Sequence, residues 1–145
     1  MRRFVIAALA AFIPVLASEA AVSADASVRI VVNPQVKGTQ IPRATLSSIF
    51  LKQAPRWTDG VPISPVDQSV KSPVRSAFSS RILGQPLMDV QIYWQRKIAS
   101  GVTPPPVKTS DEDVIAFVAA TPGAIGYVSA TTALPDTVKA IEVVN

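Results

Sequence analysis

Short strand-like and helix-like patterns alternate along this chain, and that alternation limits the folds it can adopt. The segment VRIVVNP is a β-branched run that ends at Asn33-Pro34, and it predicts a buried strand. The segment RATLSSIFLK places Leu46, Ile49 and Phe50 on one helical face. VPISPVD predicts a short extended segment whose two prolines favour the edge of a sheet. Alternation of this kind is typical of an α/β domain of modest size.

Two helices are predicted in the middle of the chain. The first begins with Ser72 as its N-cap and Pro73 at the first helical position, and it ends at Gly84. The second extends from about Leu87 to Ser100. The expected core-facing positions are Val74, Ala77, Phe78 and Ile82 in the first helix, and Leu87, Val90, Trp94 and Ile98 in the second.

The last third of the chain predicts one more helix and two strands. In SDEDVIAFVAA, Ser110 and Asp113 form a variant of the capping box, and Asp111 and Glu112 complement the helix dipole. These acidic residues also suggest a metal site, but no histidine accompanies them and capping explains them, so we expect no metal. AIGYVSA and AIEVVN predict the last two strands.

Two features have both a structural and a binding interpretation. Pro104 to Pro106 predict a stiff extended connector, with a ligand for proline-recognising domains as the alternative. Four aromatic residues are expected in or beside the core, with a pocket lining as the alternative: Trp57, Tyr93, Trp94 and Tyr127.

The N-terminal segment has the layout of a secretory signal peptide: two arginines, an apolar run from Phe4 to Ala17, then small residues. Pro14 interrupts that run, which is shorter than the roughly 20 apolar residues a membrane-spanning helix needs. Ala20, Ala24 and Ala26 all offer cleavage positions. Cleavage after Ala24 divides the chain into a signal peptide, 1–24, and one domain, 25–145, which we expect in the periplasm or secreted, without a membrane span.

Residue types that are absent exclude several functions. The chain has no cysteine and no histidine, which excludes disulfides, a lipid-modified cysteine, thiol nucleophiles and the usual catalytic triads. It also has no Ser-x-x-Lys, no Gly-rich phosphate loop and no Gly-x-Ser-x-Gly, so we expect neither an enzyme nor a cofactor. The formal net charge is +4, but the basic residues are scattered, and nucleic-acid binding needs a concentrated patch.

Several motifs follow one another in an order that resembles a known family. VRIVVNP, IFLKQAPRW, SPVRSAFSSRILG, YWQRKIASG and TPGAIGYV resemble, in sequence order, one lobe of the periplasmic phosphate-binding proteins of ABC transporters. The resemblance covers residues 30–145, and IFLKQAPRW and TPGAIGYV are its most specific parts. It implies a single lobe of that two-lobed fold, with a small mixed sheet flanked by about four helices, and a role in binding rather than catalysis.

The resemblance also implies a ligand site. In that family a serine-glycine-threonine helix start helps to hold phosphate, and VDQSVKSPVRSAF lies at the corresponding place. Ser72 matches the serine, Pro73 removes an N–H donor, and Gln68 falls where larger relatives have an arginine. The candidate contacts are Ser72, the amides of Val74 and Arg75, the Arg75 guanidinium, and Gln68. The alternative makes Ser72 a helix cap and Arg75 a solvated surface charge.

Two functions follow from the resemblance. The first is an exported binding domain for phosphate or a similar oxyanion, related to the substrate-binding proteins of phosphate transport. The second is an interaction or sensor module of the cell envelope, in which the former cleft face binds a protein partner or a second copy of the chain. The family's first lobe has no counterpart in the sequence, and a single lobe would leave an anion half in water, where each contact is worth less.

Overall fold

The computed structural model describes residues 27–145. The predicted signal peptide lies outside these residues, so it stays a prediction. The strands are β1 (Val28–Val32), β2 (Gln40–Pro42), β3 (Ser64–Pro65), β4 (Asp67–Gln68), β5 (Val107–Lys108), β6 (Ala124–Ser129) and β7 (Lys139–Val144). The helices are α1 (Arg43–Phe50), α2 (Pro73–Phe78), α3 (Leu87–Ala99) and α4 (Asp111–Ala120), and a π-helical segment, Ser79–Leu83, continues α2.

The main sheet has five strands in the order β2-β7-β1-β6-β3. The central strand β1 runs antiparallel to both of its neighbours, β6 and β7, whereas β2 is parallel to β7 and β3 is parallel to β6. The small mixed sheet expected from the sequence is therefore confirmed. The proline-containing segment forms β3 at the edge of the sheet, as its missing N–H donors require.

Helices cover both faces of this sheet. Ile30 and Val32 pack towards α1, α2 and α3, whereas Val31 packs towards α4, because side chains alternate along a strand. Gly126 of β6 faces α4, and a Cβ atom there would lie only 2.7 Å from a Val114 methyl group. Glycine at this position therefore lets α4 approach the sheet closely.

Two details of the helical packing differ from the sequence prediction. The π-helical segment shifts the register after Phe78, so that Leu83 is buried while Ile82 is only half-buried. In α3, Val90 and Trp94 are buried as predicted, but Ile98 is 54% exposed. Ile98 was expected to face the core and instead lines an open groove.

Within residues 27–145, no helix has the length and apolar composition needed to cross a membrane.

Candidate functional site

A second, two-stranded sheet brings the starts of α2 and α4 side by side. Strands β4 and β5 pair in parallel, with Asp67 opposite Val107 and Gln68 opposite Lys108. Parallel strands end at the same edge, so the chain leaves both strands in the same direction. A short turn then leads from β4 to α2, and another leads from β5 to α4. The candidate site lies where these two helices begin.

Gln68 connects the two helix starts. Its Oε1 accepts a hydrogen bond from Ser72 Oγ at 2.9 Å, and its Nε2 donates to Asp111 Oδ1 at 2.8 Å and to the Tyr127 carbonyl at 2.9 Å. Gln68 is 3% exposed, so these bonds satisfy an amide that would be costly to bury unpaired. Its side chain acts as a bridge between α2, α4 and β6.

A buried ion pair lies next to Gln68. Arg75 Nε is 3.0 Å from Asp67 Oδ1, and Arg75 is only 3% exposed. The Nε–H group nevertheless makes no hydrogen bond, and Ser79 Oγ, which accepts from Nη1, is the one acceptor bonded to this guanidinium within residues 27–145. Because a guanidinium carries five N–H donors, Arg75 retains donors that no protein atom in the described chain accepts.

Asp67 is held by two hydrogen-bond donors as well as by the charge of Arg75. The Tyr127 hydroxyl donates to its Oδ1, and so does the Gln68 amide at 2.8 Å. Burial raises the pKa of the Asp67 carboxyl above its usual value, although Arg75, Tyr127 and the Gln68 amide oppose that shift. Burial, followed by the nearby Asp67 charge, also raises the pKa of the Tyr127 phenol. Tyr127 therefore stays protonated and donates to the carboxylate.

An aromatic cluster fixes Tyr127 in place. Its ring stacks on Phe78 with centroids 3.9 Å apart, and Phe50 meets it edge to face at 5.7 Å. Phe78 lies on α2 and Phe50 on α1. The hydroxyl that orders Asp67 is thus positioned by the main core.

An open groove of about 500 Å³ lies against this polar network. Asp67, Gln68 and Arg75 contribute to its polar lining. The apolar lining consists of Val70, Trp94, Ile98, Pro104, Pro105 and Val107. Ser69, Gln91 and Gln95 complete the polar lining, so the groove has polar and apolar residues in equal number. A concave site of this volume that joins polar groups to apolar walls can hold a small molecule.

The candidate residues chosen from the sequence do not all lie in the groove. Gln68 and Arg75 line it, whereas Ser72 and Val74 lie outside its lining. Ser72 occupies the N-cap position of α2, but its hydroxyl donates to Gln68 and makes no capping bond. Val74 is at the second position of α2, where the amide has no acceptor within the helix. Arg75 is buried, so the alternative that made it a solvated surface charge was wrong.

Three residues of the network escaped the sequence analysis as site residues: Asp67, Asp111 and Tyr127. Asp111 was assigned to the dipole of α4, with a metal site as the rejected alternative, yet its Oδ2 also accepts from the Ser129 amide at 3.0 Å. Tyr127 lies in a buried strand, and a buried tyrosine hydroxyl needs a hydrogen-bond partner. That requirement was the available signal, but the sequence does not show that the partner is Asp67, which is 60 residues away.

Comparison with solved structures identifies the same fold in phosphate-binding proteins. An ABC-type phosphate transport receptor from Vibrio cholerae matches 80% of this chain with a TM-score of 0.63 and 23% identity. A phosphate ABC transporter substrate-binding protein from Clostridium perfringens, with bound phosphate, matches 80% with a TM-score of 0.64 and 18% identity. PstS from Borrelia burgdorferi matches 80% with a TM-score of 0.61 and 17% identity. No protein-family model and no curated protein sequence matches the chain.

The match extends over 44% to 46% of each of these three solved chains. The chain has the fold of about half of a phosphate-binding protein. The single-lobe resemblance predicted from the sequence is therefore confirmed at the level of the fold.

Proposed function

We propose that this chain is an exported binding domain that recognises a phosphate-like oxyanion through Arg75. The observation that carries the proposal is a buried guanidinium that lines the groove and retains N–H donors without an acceptor in the described chain. Hydrogen bonds from a guanidinium to an oxyanion are strong because the donor and the acceptor are both charged. The fold shared with phosphate-binding proteins supports the same class of ligand.

Burial makes each contact in this groove stronger than it would be at an open surface. Coulombic attraction rises as the surrounding dielectric falls, and Arg75 is 3% exposed. Asp67 opposes anion binding, since its carboxylate already pairs with Arg75. An incoming oxyanion therefore competes with Asp67 for the same guanidinium, and affinity should increase when Asp67 is neutral.

Calorimetric titration of the purified protein at low salt tests the proposal, with phosphate, sulfate and methylphosphonate as the probes. We expect saturable binding of at least one probe and a loss of about tenfold or more in affinity in Arg75→Met. Arg96→Met is the control, because Arg96 is an exposed arginine on α3 outside the groove lining.

A second variant, Asp67→Asn, tests the proposal independently in case Arg75→Met does not fold. Asp67→Asn leaves the guanidinium in place and removes the competing charge, so it should tighten anion binding. Light scattering accompanies both measurements. The proposal is wrong if no probe binds at millimolar concentrations, and a concentration-dependent oligomer without an anion effect would favour the interaction-module alternative instead.

A further inference from the structure

The groove beside Arg75 is larger and more apolar than an inorganic anion needs. Its volume of about 500 Å³ falls in the range of pockets that hold organic ligands. Inorganic phosphate has no apolar surface to bury. If phosphate were the whole ligand, the apolar walls of the groove would remain against water.

Those walls contain three exposed apolar side chains. Val70 is 49% exposed, Ile98 is 54% exposed and Val107 is 58% exposed, and all three line the groove. They come from the turn after β4, from α3 and from β5. Large apolar side chains that converge on one concavity indicate a binding surface, whereas scattered ones are ordinary.

Rigid elements hold this apolar surface in place. Pro104 and Pro105 lie in the extended segment before β5 and cannot rotate about φ. Trp94 is 9% exposed and packs in the main core, so only a small part of its ring faces the groove. A rigid wall loses little entropy when a ligand binds, which favours binding of an apolar group.

We propose that the ligand is an organic oxyanion, with a phosphate or phosphonate head at Arg75 and an apolar body against Ile98 and Val107. This inference rests on the proposed anion site and adds the chemical class of the ligand. The head and the body are recognised by different parts of the groove: one buried cation from α2, and apolar side chains from α3 and β5. Charge complementarity at Arg75 distinguishes this ligand from a neutral lipid or an apolar peptide.

The test compares two probes that share a phosphonate head: methylphosphonate and phenylphosphonate. We expect phenylphosphonate to bind about tenfold more tightly or better, because its ring buries additional apolar surface. Ile98→Ser should lower the affinity for phenylphosphonate by about threefold or more and leave methylphosphonate unchanged. Ile92→Ser is the matched control, because Ile92 is an exposed isoleucine on the same helix outside the groove lining.

The outcomes separate this inference from the proposed function. Equal affinity for the two probes, each dependent on Arg75, would overturn the inference and leave the oxyanion site standing. Tighter phenylphosphonate binding that Ile98→Ser does not change would also overturn it, because the ring would then lie elsewhere. If neither probe binds, the proposed function itself fails, and the inference fails with it.

Discussion

The starts of α2 and α4 look alike in the sequence and are stabilised in different ways. Each helix has a serine at its N-cap position. Ser110 accepts a hydrogen bond from the Asp113 amide at 3.1 Å, so α4 is capped within its own first turn. Ser72 makes no capping bond, and its hydroxyl donates to Gln68 across the turn from β4.

This difference shows how a polar neighbour redirects a capping residue. Gln68 is buried, and its Oε1 needs a donor, which Ser72 supplies. Pro73 has no N–H group, so the first turn of α2 has fewer amides to satisfy. Ser72 is therefore released from capping and binds Gln68 of the preceding strand, whereas Ser110 caps its own helix.

The largest expected effect concerns the carboxylate at the start of α4. Asp111→Ala removes the acceptor for Gln68 Nε2, the Ser129 amide and the Thr132 hydroxyl. Loss of these charge-assisted bonds should lower the free energy of unfolding by about 3 kcal/mol. Glu112→Ala removes the next acidic residue, which is exposed, and should cost only about 0.5 kcal/mol through the helix dipole. Urea unfolding of both variants measures the difference, and equal losses would show that Asp111 acts only on the dipole.

A smaller effect distinguishes the two serines. Ser72→Ala and Ser110→Ala should each lower the free energy of unfolding by about 1 kcal/mol, the first by removing a bond to Gln68 and the second by removing a cap. Double-mutant cycles that pair each serine variant with Gln68→Met distinguish the two effects. Ser72 should couple to Gln68 by about 1 kcal/mol, whereas Ser110 should be additive within about 0.5 kcal/mol. If Ser110 couples to Gln68 and Ser72 does not, the assigned roles of the two serines are wrong.

The smallest expected effect is a dependence of stability on pH at the start of α2. The folded state raises the pKa of Asp67 above 3.8, so it binds that proton more tightly than the unfolded chain does. The stabilisation from protonated Asp67 is fully present below the pKa of Asp67 in the unfolded chain. It is lost as the pH rises through the pKa of Asp67 in the folded protein. The groups that face Asp67 are Arg75 and Tyr127, with Asp111 beyond Gln68.

Urea unfolding between pH 4 and pH 8 measures this dependence against Asp67→Asn, which lacks the titrating group. As the pH rises, the free energy of unfolding of the wild-type protein should fall relative to that of the variant. The slope should be a fraction of the roughly 1.4 kcal/mol per pH unit that corresponds to one full proton. Affinity for sulfate, which does not titrate in this interval, should fall as the pH rises, because charged Asp67 competes for Arg75. Parallel pH profiles for the two proteins would contradict the assignment.

Most of the fold was predictable because its signals are local. The β-branched run of β1, the apolar face of α1 and the Ser110 cap each depend on neighbouring residues, and all three agree with the structure. The sequence alone did not predict the π-helical segment after Phe78, because that segment depends on how α2 fits against the core. Ile98 follows the periodicity of a buried position, yet its side chain is exposed in the described part of the chain.

The candidate site was less predictable, because its contacts join residues far apart in the sequence. The Tyr127 hydroxyl meets Asp67 only because β6 lies next to the chain segment that forms β3 and β4. The resemblance directed attention to four residues, Gln68, Ser72, Val74 and Arg75, and the structure places Gln68 and Arg75 in the groove lining. The hydrophobic periodicity of α2 predicts that Arg75 lies at the surface. A buried arginine needs a charged or polar partner, and the local sequence does not show that partner.

The position of β1 also sets an order of events during folding. β1 is the first strand of the described chain, and its two neighbours, β6 and β7, are the last two. The central strand therefore gains its pairing partners only after residues 124–144 have been made, and the closure of such a long loop is slow. Until then β1 lacks both of its neighbours, and its unpaired backbone groups are open to pairing with strands of other chains.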